Sequence, residues 1–420
     1  MLRPERDGRR VVVTGIGCVT PIGQGAEGLW AGLHRRRSAV GPLTRFDPEP
    51  FRTRIAAEVP GFDPETWIDG RRLRRLDRYS ALAVAVARMA VEDAGLDPEA
   101  EDSDRMAVQM GSALGGVEFA EAQHEAYLRA GTRGVNPMLA LTVFGGAASC
   151  NVAIELGFTG PNATNAMSCA SGAIGVGSGF RLIRDDRADV ALAGGAEAPL
   201  APLSFGAFAI LRAMSTRNDD PSAASRPFDR DRDGFVMGEG ASLLLLEEME
   251  HALDRGARIH AEVCGFGTTN DAFHMTRPRP DGRQAARAMR LALEDAGVSP
   301  SVVDYINAHG SSTPLNDPTE ALAIRSVHGE RAARIPTSGT KGYYGHALGA
   351  SGAIEAAIVS LALARDWYPP TLNLDTTDDS CGGLQLITGR GETRQAEYAL
   401  SNSFGFGGIN AALLFRRWED

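Results

Sequence analysis

The chain has 420 residues, of which 43% are hydrophobic and 23% charged, with a formal net charge of −10. That balance suits a globular protein of two or three domains with a sizeable core, and the negative charge argues against a nucleic-acid partner. No stretch is expected to reach the roughly 18 apolar residues of a membrane span, and the polar start Met1 to Arg10 has no signal-peptide core, so a cytoplasmic protein is expected.

In chain order, the first apolar strand, Val11-Val12-Val13, runs into Gly15-Ile16-Gly17, and Ala261 to Gly267 repeats that pattern. Neither G-x-G has the helix start and downstream acid of a dinucleotide fingerprint, so both predict strand-end packing. The helix from Ala85 stops at Ala94-Gly95 with Pro98 close behind, and it returns from Arg287 to Ala296-Gly297 with Pro300. Glycine followed by proline is a helix stop signal. Ser171-Gly172-Ala173-Ile174 likewise opens a helix that matches the one opened by Ser351-Gly352-Ala353-Ile354.

The offsets between the matches fall from roughly 250 to 200 to 180 residues, so the first copy carries insertions, near 25–75 and 117–145. The result is a duplicated α/β core in which each copy reads strand, helix, strand, buried helix, strand. It divides near Ala252 to His260 into halves 1–255 and 256–420 that share one core. The first insertion holds a run of arginines at 71 to 78, either a dock for an acidic partner or a solvated charged face.

Five scattered cysteines, Cys18, Cys150, Cys169, Cys264 and Cys381, form no C-x-x-C pair, which disfavours a disulfide framework or zinc ribbon. Cys169 stands at the start of the helix at 170–184. The field there should lower its pKa below the roughly 8.5 of a free thiol and make it a nucleophile. Gly172, Gly175, Gly177 and Gly179 in that helix cost helix propensity and require close approach of neighbouring backbones.

The second copy carries His309 just past an apolar strand and His346 just before the helix at 350–364. Lys341, the single lysine in a chain with 43 Lys plus Arg, lies five residues before His346. Where arginine serves every other cationic position, the surviving lysine points to a need for a compact ammonium. Glu355 is a carboxylate within an apolar helix, and a buried, paired acid is expected there. No ligand set at metal spacing accompanies the histidines, so no metal is expected; two neutral imidazoles suit an enolate formed beside a thioester. Ser401 to Asn410 is a glycine loop between strands that leaves backbone N–H groups free.

Together these segments, with Met214 to Asp219, Ser225-Arg226-Pro227-Phe228-Asp229, Arg232 to Val236, Asn307-Ala308-His309-Gly310 and Gly345-His346, resemble the β-ketoacyl-acyl-carrier-protein synthase II branch of the thiolase-like condensing enzymes. The resemblance implies a duplicated thiolase-like fold, layered αβαβα, with buried helices between two mixed sheets. It implies an acyltransferase that extends an acyl chain by decarboxylative Claisen condensation with malonyl-carrier protein, as in fatty acid biosynthesis. Cys169 would hold the acyl group, His309 and His346 the malonyl carbonyl, and Lys341 would organise the second histidine, with Glu355 as the family's buried glutamate. The N–H groups of Cys169 and Phe406 would form the oxyanion hole.

Phe406, in the Phe404 to Gly408 loop, and Asp271 match gating positions. Ser311 and Thr313 match those that hold the phosphopantetheine arm, and Leu114 lies where relatives line the acyl pocket. No cofactor is implied beyond the phosphopantetheine carried by acyl carrier protein. The partner would be a second copy or, as Asn316-Asp317 suggests for a type II polyketide ketosynthase, a chain-length factor. Tyr343-Tyr344 and Ile409 depart from the family and bear on pocket volume. A thiolase would need a second cysteine at 401–410, and the synthase III branch has asparagine where His346 stands. A non-catalytic partner would not need the four groups Cys169, His309, His346 and Lys341 together.

Overall fold

The computed structural model describes residues 8–419, so the polar start as far as Asp7 lies outside the described residues. Ten strands build the frame: β1 (Val11–Thr20), β2 (Met106–Gly111), β3 (Asn162–Asn165), β4 (Val190–Glu197) and β5 (Gly240–Glu248) in the first half, then β6 (Ala261–Asn270), β7 (Val303–Ala308), β8 (Pro336–Gly339), β9 (Tyr398–Gly405) and β10 (Ile409–Arg416). Their order is β1-β5-β4-β2-β3 in one half and β6-β10-β9-β7-β8 in the other, with Gln385–Leu386 added at the second edge. In each half the first two pairings are antiparallel and the last two parallel. Each copy thus holds five strands, two more than the three of the sequence pattern. The two sheets meet edge to edge where β1 pairs β6 over Val11↔Val263, Val12↔Glu262 and Val13↔Ala261, which makes one continuous ladder.

Helices α1 (Arg78–Ala94), α2 (Ser171–Arg184), α3 (Arg283–Ala296) and α4 (Ser351–Arg365) complete the layers. The side chains of α2 and α4 fill the central apolar layer, and α1 and α3 cover the outer faces of the two sheets. Both G-x-G motifs lie inside their strands rather than at the ends. A Cβ at Gly15 or Gly17 would collide with the α1 backbone at Ala90 and Val86, and one at Gly265 or Gly267 with α3 at Ala292 and Ala288. The ladder bulges there in both copies, and one acid of each helix takes a backbone N–H: Asp93 accepts from Ile16 at 2.9 Å and Asp295 from Phe266 at 3.1 Å.

The glycine-rich α2 is explained by its neighbours. A Cβ on Gly172 would stand 2.8 Å from Ala353 N, and one on Gly352 would stand 2.8 Å from Ala173 N, so the two central helices touch backbone to backbone across the pseudo-twofold. Contrary to the sequence expectation, Leu348–Arg365 is long and apolar enough to cross a membrane, but 89% of that window is buried in the protein core. Its apolar character serves the central layer, which presents no wet face.

Candidate active site

β3 ends at Asn165, and Met167 leads into the tight turn Ser168–Ala170 that opens α2. Ser168 takes φ 52°, a left-handed value that aims the next residue, Cys169, into a cavity of about 370 Å³. The strand ends of the second half face it. His309 and His346 line the same cavity with their ring centroids 5.3 Å apart, as do Asp271, Ser311, Thr313, Phe404 and Phe406. The backbone N–H of Phe406 reaches the sulfur, and Gly405 packs so closely that a Cβ there would stand 3.0 Å from Cys169 N.

Lys341 is fully buried behind the histidines. Its ammonium donates to the carbonyl of His309 at 2.6 Å, to His309 Nδ1 at 3.3 Å, and to Glu355 Oε1. An ammonium on Nδ1 makes that nitrogen the acceptor, which leaves the imidazole proton on Nε2. His346 Nδ1 meets Ser351 Oγ at 2.8 Å, a hydroxyl that can impose the same tautomer. Burial and the charge of Lys341 hold both histidines well below the ordinary value, so both rings are neutral donors. Burial pushes Glu355 up to about 7 against the pull of Lys341.

Two loops close the mouth. Asp271 Oδ1 accepts from Asn410 Nδ2 at 2.9 Å, Oδ2 accepts from Arg279 N at 2.8 Å, and the Asp271 N–H donates to Gly408 O at 2.8 Å. The loops at 271–279 and 405–410 are therefore tied together. Phe406 stacks at 6.2 Å on Phe208. Ser311 Oγ and Thr313 Oγ1 lie 2.9 Å apart on the wall past His309.

Residues 8–252 match the family described as the N-terminal domain of beta-ketoacyl synthase, and residues 260–375 match its C-terminal domain. The chain belongs to the β-ketoacyl synthase family. It is 44% identical over 411 residues to 3-oxoacyl-[acyl-carrier-protein] synthase 2 of Synechocystis and 43% identical over 412 residues to that of Coxiella burnetii, in each case over 98% of this chain and 99% of the relative. Among solved structures, a beta-ketoacyl synthase from Burkholderia phymatum superposes with a TM-score of 0.91 at 40% identity, covering 98% of this chain and all of that one. The ishigamide ketosynthase/chain length factor superposes at 0.92 with 39% identity and the same coverage. The fold is the thiolase-like one of these condensing enzymes.

Four details of this synthase differ from the sequence expectations. Lys341 bonds to the first histidine, His309, and not to His346, because the short helix Lys341–Tyr344 turns its side chain toward the end of β7. Burial pushes the Cys169 thiol above its ordinary value, and Ser168, Lys341 and the Phe406 N–H oppose this only in part, so the resting sulfur is a thiol. Leu114 is not on the cavity wall; it packs behind it, in the apolar cluster that contains Cys169 and Leu348. Tyr343, Tyr344 and Ile409 belong to or pack against the central core and do not line the cavity.

Sequence reasoning missed three supports. Ser351 orients His346, Glu320 accepts the N–H groups of His309 at 2.8 Å and Gly310 at 2.9 Å, and Asp317 accepts from Phe228 N at 2.8 Å. Acids at 317 and 320, one turn apart on a helix that begins just past His309, were the available signal for the last two.

Proposed function

We propose that the chain is a β-ketoacyl-acyl-carrier-protein synthase that joins an acyl group to a malonyl-derived unit, with acyl carrier protein presenting both. The observation that carries this reading is the single cavity where a thiol from one half faces two neutral imidazoles and a backbone N–H from the other. Acylation is a thioester exchange: the Cys169 sulfur attacks the acyl carbonyl, the bond to the phosphopantetheine sulfur breaks, and the thiol proton leaves with the released arm. Malonyl thioester then enters. The Nε2–H groups of His309 and His346 support its carbonyl oxygen as the carboxylate carbon departs as carbon dioxide, leaving an enolate.

The enolate carbon attacks the acyl-cysteine, whose oxygen is held by the N–H groups of Cys169 and Phe406. Collapse breaks the carbon–sulfur bond, and the freed thiolate takes up the one proton consumed overall. Ser311 and Thr313 would bind the phosphopantetheine arm, and Phe406 with Asp271 would gate entry.

Charge supports the carrier protein as partner. Within the run at 71 to 78, Arg72 pairs with Glu155 at 2.5 Å and Arg78 with Glu239 at 2.7 Å, whereas Arg71 and Arg75 line a surface groove with Leu141, Phe144 and Ile154. An acidic, partly apolar helix fits such a groove. The second reading, a polyketide ketosynthase beside a chain-length factor, is favoured by the likeness to the ishigamide pair. The deciding test is intact-mass spectrometry with acyl-carrier substrate. The protein gains the acyl mass, Cys169→Ala gains none, and Cys169→Gln still decarboxylates malonyl-carrier protein; acylation of the Ala variant would overturn the assignment.

A further inference from the structure

The duplication builds the junction that carries Cys169 twice. At the first, the turn Ser168–Ala170 meets the end of β9, with Gly405 against Cys169 N. At the second, the turn Leu348–Ala350 meets the end of β4, whose last residue is Glu197. The match is close: Leu348 takes φ 38° where Ser168 takes φ 52°, both turns lead into Ser-Gly-Ala-Ile, and β4 and β9 hold the same place in their sheets. Gly349 therefore stands where Cys169 stands. Its N–H donates to Glu197 Oε2 at 2.9 Å.

Glu197 is fully buried and accepts three more hydrogen bonds, from Ser112 Oγ at 3.0 Å, Ala113 N at 2.6 Å and Leu114 N at 3.0 Å. The second junction is thus an anion site filled by the protein's own carboxylate. A Cβ on Gly349 would stand 2.5 Å from Glu197 Oε2, so this position admits no nucleophile. The donors come from two walls. Ser112 to Leu114 follow β2 in the first half, and Gly349 heads α4 in the second. Leu348 lies on the wall of the cavity that holds Cys169 and Leu114 packs in the same apolar cluster behind it, a surface on which an acyl chain carried by that sulfur can leave water.

We propose that Glu197 is a positioning residue for acyl-chain selection: one buried carboxylate fixes the spacing between Leu348, on the cavity wall, and Leu114, which backs it. The proposal rests on the condensing reading above. Glutamine at 197 keeps the shape but supplies one acceptor oxygen: its amide nitrogen in place of Oε2 opposes Ala113 N and Gly349 N and frees the second wall, and in place of Oε1 it opposes Leu114 N and loosens the first.

The test is Glu197→Gln, read by hydrogen exchange and by acylation with a ladder of acyl-carrier thioesters. Amides at 113–114 or at 349 should exchange at least about tenfold faster while those at 170–172 do not change. The kcat/KM ratio for long over short acyl chains should shift at least about fivefold with short-chain acylation retained. Ser112→Ala removes one of the four donors and should move the ratio the same way by less, which keeps the test open if Glu197→Gln fails to fold. Unchanged amides, or an equal loss for all chain lengths, would overturn the proposal. Absence of acylation in the unsubstituted protein would instead sink the condensing reading.

Discussion

At the scale of single residues, one nitrogen organises much of the site. Lys341 Nζ spends its three hydrogens on a carbonyl, an imidazole nitrogen and a carboxylate that lie in different directions. A tetrahedral ammonium meets that arrangement, whereas a planar guanidinium is too wide and sends its donors into one plane. Lys341→Arg should therefore cut condensation about a hundredfold or more while Cys169 still acylates, as measured by product formation against intact mass. Full condensation activity in that variant would refute the role. Because His309 and His346 titrate well below the ordinary histidine value, their neutral forms persist as pH falls through 6.5. NMR of the two imidazoles in Cys169→Gln should accordingly show both rings neutral from pH 8 down to 6 while Glu355 takes up its proton near 7; a ring that protonates with a midpoint near 6.5 would be an ordinary histidine. The lone lysine was legible in the sequence because composition isolates it. Which histidine it touches was not, since loop residues five apart can face opposite walls. The acidity of Cys169 was misjudged because the helix start is local and visible, whereas the burial that outweighs it comes from segments distant in sequence, among them Phe205, Phe235 and Leu348.

At the scale of elements, the four glycines of α2 announce contacts that the structure identifies one by one. Gly172 admits Ala353, Gly175 lies on the carbonyl of Gly194, Gly177 faces the ring of Phe266, and Gly179 meets Ala193. Gly172→Ala should destabilise the protein by about 1–3 kcal/mol despite the better helix propensity of alanine, since the new methyl would press on the backbone of α4. Chemical denaturation measures this; a stabilised variant would mean that the helices can part. The repeats made the fold readable, because a strand, a capped helix and a small-residue helix start recur in order. That pattern leaves out two strands of each copy, β5 among them. Its apolar run is only Leu243 to Leu246, between Ser242 and Glu247, and without alternation so short a run does not distinguish a covered strand from a buried helix.

At the scale of the whole molecule, the sheet ends in the first half at β3, a short strand whose first two residues are exposed. An open strand edge leaves backbone N–H and C=O groups free to pair with another chain. Native mass spectrometry of the chain alone should show a dimer if its partner is a second copy; a monomer that pairs only with a chain-length factor would favour the polyketide reading. Inside each chain the halves are equally interdependent. The sulfur belongs to one copy and the proton donors to the other, and they are registered by a three-pair seam and by helices in backbone contact. An exchange of halves between relatives at the boundary near residue 255 would splice together two surfaces shaped against other mates, so recombination there should yield soluble chimaeras only when both parents carry the same small residues along α2 and α4.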